Sequence, residues 1–280
     1  MYDQAAQLRR LMQQAGLSFP ATNSPGKRKL LVVFGGRPGC GATSVALHLG
    51  LALVQQGQRT VLVDADETGI DVAHRCGLAG KSGLAAALAG ECTIHEAIER
   101  GPGGLQVIAG VGGAVGRREW SEAGPPRLSP LLRALDSHTD WTVIDAGRGM
   151  APLSAPLWRE ATAMVVVTTP DAPAIMETYT SLKSNWEPEH SACVPQIFVN
   201  FAESDAIAAD VHRRLNESCR KFLGCGVDFA GSAPEDALLK QAAEKRVPLI
   251  AAVSTFSDAC DTLAASVIEA HRAAPLRRAA

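Results

Sequence analysis

The residues with the most chemical potential lie in one stretch, Gly35-Gly36-Arg37-Pro38-Gly39-Cys40-Gly41-Ala42-Thr43-Ser44, between an apolar run ending at Phe34 and a helix-length segment from Thr43 to Gln56. Glycines at a strand-to-helix junction let backbone N–H groups close around an anion, and the helix N-terminus adds a favourable dipole. The chemistry on offer is phosphate binding. Against the pattern G-x-x-x-x-G-K-[ST], Gly36 and Gly41 have the right spacing and Thr43 can offer its hydroxyl to Mg²⁺, but Ala42 stands where the lysine belongs. Two other readings compete. One is a glycine-rich turn with no ligand; the other is a dinucleotide fingerprint, Gly39-x-Gly41-x-x-Ser44 with Asp64 about twenty residues on.

Carboxylates decide among these readings. Asp64-Ala65-Asp66 closes a second apolar run, and Asp140-Trp141-Thr142-Val143-Ile144-Asp145 is another that ends in an acid. Each aspartate alone reads equally well as a cap or turn residue. Together with the loop they favour a nucleoside triphosphate and Mg²⁺, because a ribose reader needs one carboxylate and a metal-bound phosphate site needs more.

The elements that must carry these groups are legible as rhythm. Apolar runs at Leu30 to Phe34, Thr60 to Asp64, Leu105 to Ala109, Trp141 to Ile144, Ala163 to Thr168, Gln196 to Asn200 and Asp228 to Gly231 alternate with helix-length segments. Strands this continuously apolar are covered on both faces, which predicts an α/β fold of three layers, a mostly parallel central sheet with helices on both sides, and ligands at the strands' carboxyl ends. Gly57 is the expected stop of the first helix. A short helix is predicted over Asp3 to Gln14, a Ser, Pro, Gly and Lys-rich linker over 16–29, one nucleotide-binding domain over 30–272, and a frayed basic tail over 273–280.

Composition narrows the function classes. The 280 residues are 46% apolar and 20% charged, enough for a full core, and a net charge of −2 offers no field for nucleic acid. The seven cysteines are scattered without a C-x-x-C pair, so neither a disulfide framework nor a zinc site is signalled. The seven histidines have no metal-ligand spacing. With no apolar leader in Met1 to Arg10 and no run near ~18 apolar residues, the expectation is a cytoplasmic protein.

With these residues in view, the chain resembles the MinD/ParA family of deviant-Walker ATPases, and within it the FlhG branch. Arg37 occupies the signature-lysine position and Ala42 the P-loop lysine position. The likeness also rests on Asp3-Gln4-Ala5-Ala6-Gln7-Leu8-Arg9, on Gly83 to Ala109, on Val166-Val167-Thr168-Thr169-Pro170-Asp171, and on Val199-Asn200 with Ala233-Pro234-Glu235-Asp236. The resemblance implies a P-loop NTPase fold using ATP or ADP and Mg²⁺. Gly36, Arg37, Gly39, Cys40, Gly41, Ala42, Thr43 and Ser44 would cradle phosphate, Thr43, Asp64 and Asp145 would serve the metal, Asp66 would orient the attacking water, and Asn200 and Pro234 would hold adenine. It further implies a regulator of flagellar number or placement. Asp3, Gln4, Ala5, Leu8 and Arg9 would dock on an FlhF-like GTPase, and a nucleotide-dependent homodimer would form in the cytoplasm, at a pole or peripheral to the inner membrane.

Two departures matter. Losing the lysine's charge-assisted bonds costs roughly 1.5–3 kcal/mol, so nucleotide binding is expected to survive weakly while hydrolysis is slow or lost, with Arg37 as a partial substitute. The C-terminal segment offers Leu263, Val267 and Ile268 and then alanines with Arg272, Arg277 and Arg278, too little bulk for membrane association. The alternatives left open are an ATP-dependent switch, a non-hydrolysing pseudo-ATPase scaffold, and a relative serving another organelle such as a pilus, secretion or cellulose-synthesis machine.

Overall fold

The structure is a computed structural model that describes residues 29–67, 71–78, 83–110, 128–148, 156–191, 193–245 and 254–277. The expected partner helix, with Asp3, Gln4, Ala5, Leu8 and Arg9, and the linker up to residue 28 lie outside the described residues, as does Arg278.

Eight strands form one sheet: β1 (Leu30–Gly35), β2 (Thr60–Asp64), β3 (Ile98–Arg100), β4 (Gln106–Ile108), β5 (Trp141–Asp145), β6 (Ala163–Thr168), β7 (Gln196–Asn200) and β8 (Asp228–Ala233), in the order β3-β4-β2-β5-β1-β6-β7-β8. Every pairing is parallel except β3 with β4. Strands β2, β6 and β7 coincide with the runs read from sequence. The antiparallel edge strand β3 was not expected, since Ile98-Glu99-Arg100 is too short to display alternation; its two charges suit an exposed edge. Strand β8 runs two residues past Gly231 because a bulge at the Ile197/Phe198 step and a left-handed Gly231 (φ 126°) let pairing resume to Ala233.

Alternating side chains split the core. Leu30, Val32 and Phe34 point to one side, where Phe34 meets Trp158 at 4.2 Å between ring centroids. That side is covered by α3 (Leu84–Ala89), α4 (Leu128–Arg133), α5 (Leu157–Glu160), α6 (Ala172–Asn185) and α7 (Asp205–Leu223). Leu31 and Val33 point to the other side, against α1 (Ala42–Gln55) and α9 (Thr255–Arg277). The remaining helices, α2 (Asp71–Arg75) and α8 (Ala237–Lys245), lie on the carboxyl side of the sheet.

Helix α1 carries a buried apolar face including Val45, Leu49, Ala52 and Leu53. Its end is a Schellman turn: Gly57 at φ 77° donates to the Val54 carbonyl and Gln58 donates to that of Leu53, both at 2.9 Å. This satisfies carbonyls the helix leaves open and aims the chain into β2. The seven cysteines are free thiols, three buried and four half-buried. Among the described residues no helix is long and apolar enough to cross a membrane.

Candidate functional site

The loop after β1 takes its shape from three packing constraints. Gly36 donates its N–H to the Val167 carbonyl at 3.1 Å, and a methyl group there would fall 1.9 Å from Thr178 Oγ1 and 2.8 Å from its Cα, so this glycine is demanded by α6. A side chain on Gly35 would meet Cys40 Sγ at 2.3 Å, the loop folding back on itself. Gly41, at φ 91°, caps α1, and a Cβ on it would meet Asn200 Nδ2 at 2.3 Å. Gly39 (φ 79°) has open space around its missing side chain, which leaves its backbone accessible to a ligand.

Two long-range contacts hold this loop from its flanks. Asn200, buried at the end of β7, donates through Nδ2 to the Cys40 carbonyl at 2.9 Å. Arg37 Nη1 forms an ion pair with Asp171 Oδ1 at 2.7 Å. Asp171 also accepts the N–H of Ala174 as the N-cap of α6 and the Thr169 hydroxyl, so its carboxylate stays below the usual range, the Thr169 hydrogen bond being the largest cause. The signature-position arginine is thus tied to the N-cap of α6. There a smaller cleft of about 460 Å³ is bounded by Arg37, Asp171, Phe201, Glu203 and Ile207.

A larger cleft of about 610 Å³ opens on the inner side, lined by the loop from Arg37 to Ser44 and by Asp66, Arg75, Gly147, Asn200, Glu235 and Phe256, among others. Its volume is that of a small-molecule site, and it lies at the strands' carboxyl ends. Asp64 and Asp145 are partners in the register of β2 and β5, which sets the two carboxylates side by side, each 1% exposed. Burial, and then the neighbouring Asp145 charge, lifts the Asp64 pKa well above the ordinary carboxylate value. Burial also raises that of Asp145, opposed by the Thr43 hydroxyl and the Gly147 N–H, which donate to it. Both acids therefore favour a nearby cation. Asp66 lines the cleft, with its N–H on Asp64 Oδ1 at 3.1 Å, and Gly147 must lack a side chain because a Cβ would lie 2.4 Å from Asp66 Cγ.

The structure brings Arg37, Gly39, Cys40, Gly41, Ala42, Thr43, Ser44, Asp66 and Asn200 to one cleft, with Asp64 and Asp145 behind Thr43. Gly36 faces α6 instead. Pro234 is exposed and outside the cleft lining, whereas Glu235, Asp236, Leu239 and Lys240 after it contribute to the wall. Arg75, Arg148, Lys240 and Phe256 were not anticipated. No local pattern marks them, although their positions just past the ends of β2, β5 and β8 or at the start of α9 are where a parallel sheet gathers ligand contacts.

The fit to a metal-bound nucleotide can be tested on these groups. Among the described residues no three His, Cys, Asp or Glu side chains form a ready-made metal cage. A Mg²⁺ ion held by one or two carboxylates, a hydroxyl and substrate phosphates needs no such cage, and Thr43 with the paired acids meets that requirement. Asn200 Oδ1 is a buried acceptor with no partner among the described residues, as a base-reading amide would be. The residues present fit the group.

The model of the cellulose biosynthesis protein BcsQ family matches residues 28–264. The chain belongs to the BcsQ family. Its fold is that of solved MinD and ParA-family ATPases. It is similar to the antiactivator FleN of Pseudomonas aeruginosa, 25% identical over 84% of this chain and 81% of that protein. It is also similar to the flagellum site-determining protein YlxH of Helicobacter pylori, 24% identical over 96% of this chain and 91% of that one. Among solved structures, the septum site-determining protein MinD of Pyrococcus horikoshii complexed with Mg-ADP superposes with a TM-score of 0.67 at 21% identity, covering 86% of this BcsQ-family chain and 95% of the other.

Proposed function

We propose that this BcsQ-family protein is a nucleotide-binding regulator of flagellar number or placement whose ATP hydrolysis is slow or lost. The observation that carries the reading is its similarity to the antiactivator FleN and to the flagellum site-determining protein YlxH, over 84% and 96% of the chain, joined to a phosphate loop that lacks its lysine at Ala42. In this reading Gly39 to Ser44 cradle phosphate, Thr43, Asp64 and Asp145 hold Mg²⁺, Asp66 orients water, and Asn200 receives the base, with Pro234 stiffening the adenine-side loop. Bound Mg²⁺ supplies neutralisation of phosphate charge. The chain's own groups supply position, and what they lack is the cation that most stabilises transition-state charge at the loop. Binding is therefore retained better than turnover.

The segment Asp3 to Arg9 is proposed to engage an FlhF-like GTPase, and a nucleotide-bridged homodimer to carry Arg37 toward a partner's phosphates. Arg37 would first have to leave Asp171. Calorimetry with ATP and Mg²⁺ on the full chain tests the cleft: heat with a saturable isotherm and turnover well below that of a lysine-bearing relative is expected, and no heat with no thermal protection overturns the reading. Deleting 1–16 is expected to leave the melting temperature unchanged while abolishing stimulation of an FlhF-like GTPase; unchanged stimulation removes the partner assignment. A second reading, a scaffold that needs no nucleotide exchange, is favoured by Ala42, and dimerisation indifferent to ATP would establish it. The family description points to cellulose biosynthesis, so a deletion strain with normal flagella and altered cellulose would replace the flagellar assignment.

A further inference from the structure

The larger cleft is rich in carboxylates, with Asp66, Glu235 and Asp236 on its wall and Asp64 and Asp145 behind it, so a triphosphate entering it needs protein cations. In the loop, position 42 is alanine, and Arg37, which lines both clefts, is paired with Asp171. Lys240 is drawn to Glu235 at 2.6 Å on the rim, and Arg148 is exposed.

Arg75 also lines this cleft. It ends the short helix α2, is half-buried, and places Nη1 3.2 Å from the hydroxyl of Ser44, in the first turn of α1. It shares the cleft wall with Asp66 and with the loop from Arg37 to Ser44. The helix is docked by Val72, fully buried in the core cluster on the α1 side of the sheet. A guanidinium held in this way presents several fixed donors suited to phosphate oxygens.

We infer that Arg75 is the phosphate-binding cation of this cleft, supplying from α2 the positive charge that the loop lacks at Ala42. This rests on the reading of the cleft as a nucleotide site. A lysine at position 42 would project from the loop itself, whereas Arg75 reaches the same cleft from α2, beside Ser44 at the start of α1.

The test measures ATP·Mg²⁺ affinity of the full chain by calorimetry or with a fluorescent nucleotide, for the wild type, Arg75→Gln, Arg75→Lys, and Arg75→Gln combined with Ala42→Lys. Nucleotide-free melting temperatures within a few degrees of wild type establish folding; if Arg75→Gln does not fold, Arg75→Lys carries the comparison. Arg75→Gln is expected to weaken binding roughly 10- to 150-fold and to flatten its salt dependence, Arg75→Lys to lose less, and Ala42→Lys to recover at least about tenfold in the Arg75→Gln background. A folded Arg75→Gln protein within twofold of wild type, or no recovery with Ala42→Lys, overturns the assignment of Arg75 alone. Wild type that binds no nucleotide overturns the nucleotide reading itself, and Arg75 with it.

Discussion

Asn200 is where the loop's geometry can be put to a quantitative test. Its side chain is 1% exposed, and its Nδ2 reaches across 160 residues of chain to the Cys40 carbonyl at 2.9 Å. Cys40 is itself 2% exposed, so water cannot readily take over. Asn200→Ala removes the bond and strands a buried acceptor, which costs about 1–3 kcal/mol. For a domain of this size that corresponds to a fall in melting temperature of about 2–6 °C. Asn200→Asp keeps the volume and inverts the chemistry, pointing a buried carboxylate oxygen at the carbonyl; it should be worse than alanine at pH 8. Its folded-state pKa would be raised, because only the protonated acid can donate to Cys40. Stability of the aspartate variant, relative to wild type, should therefore increase as pH falls from 8 toward 5. Urea titrations at both pH values read each of these. Asn200→Ala within ~0.5 kcal/mol of wild type, or Asn200→Asp no worse than Asn200→Ala at pH 8, would refute the claim that this amide holds the loop; half a kcal/mol is the usual scatter of a neutral substitution.

Other expectations follow from the same contacts. Gly36→Ala forces a methyl group into Thr178 and its hydrogen bond to Thr168, so a loss of about 1–3 kcal/mol is expected in thermal or urea unfolding. His48 is 4% exposed, donates through Nδ1 to the Ser44 carbonyl at 2.9 Å and meets Phe256 edge-on at 5.0 Å; burial lowers its pKa. Its neutral form thus stabilises the fold above the unfolded value near 6.5, and this is lost as pH falls toward the folded value. Wild type should lose more stability between pH 7.5 and 5.5 than His48→Gln, by up to about 1 kcal/mol. Arg59 makes three hydrogen bonds to Asp140 at 2.9–3.1 Å and depresses its pKa, so the pair's contribution is present above about pH 4 and lost in more acid solution. Because Arg59 is more than half exposed, Arg59→Met should cost no more than ~1 kcal/mol at pH 7, with the difference shrinking as pH falls below about 4.

What could be read from sequence and what could not divide along physical lines. The central strands announced themselves because burial on both faces writes a continuous apolar run, as in Ala163–Thr168; the edge strand Ile98–Arg100 has one solvent side and three residues, and writes nothing. The glycines of the loop were legible because backbone conformation is a local demand, but the reason for Gly36 is Thr178, a neighbour across the fold. Asp64 and Asp145 were found because strand ends are local, while their adjacency came from the order of β2 and β5. Arg75 was invisible: it sits 31 residues from Ser44 in a short helix without a signature, and only the docking of α2 brings the two together. The turn of Arg37 toward Asp171, across 134 residues, was equally beyond any spacing rule.

The loop's two cross-ties, Asn200 to Cys40 and Arg37 to Asp171, have a kinetic consequence. A phosphate loop fixed at both shoulders by the sheet and α6 has its anion-binding shape before any ligand arrives, so capture need not wait for the loop to order. Differences in affinity among nucleotides, or among loop variants that keep both ties, should then appear in how long the ligand stays and hardly at all in how fast it enters. Residence time would then be set by the side chains that grip the phosphates.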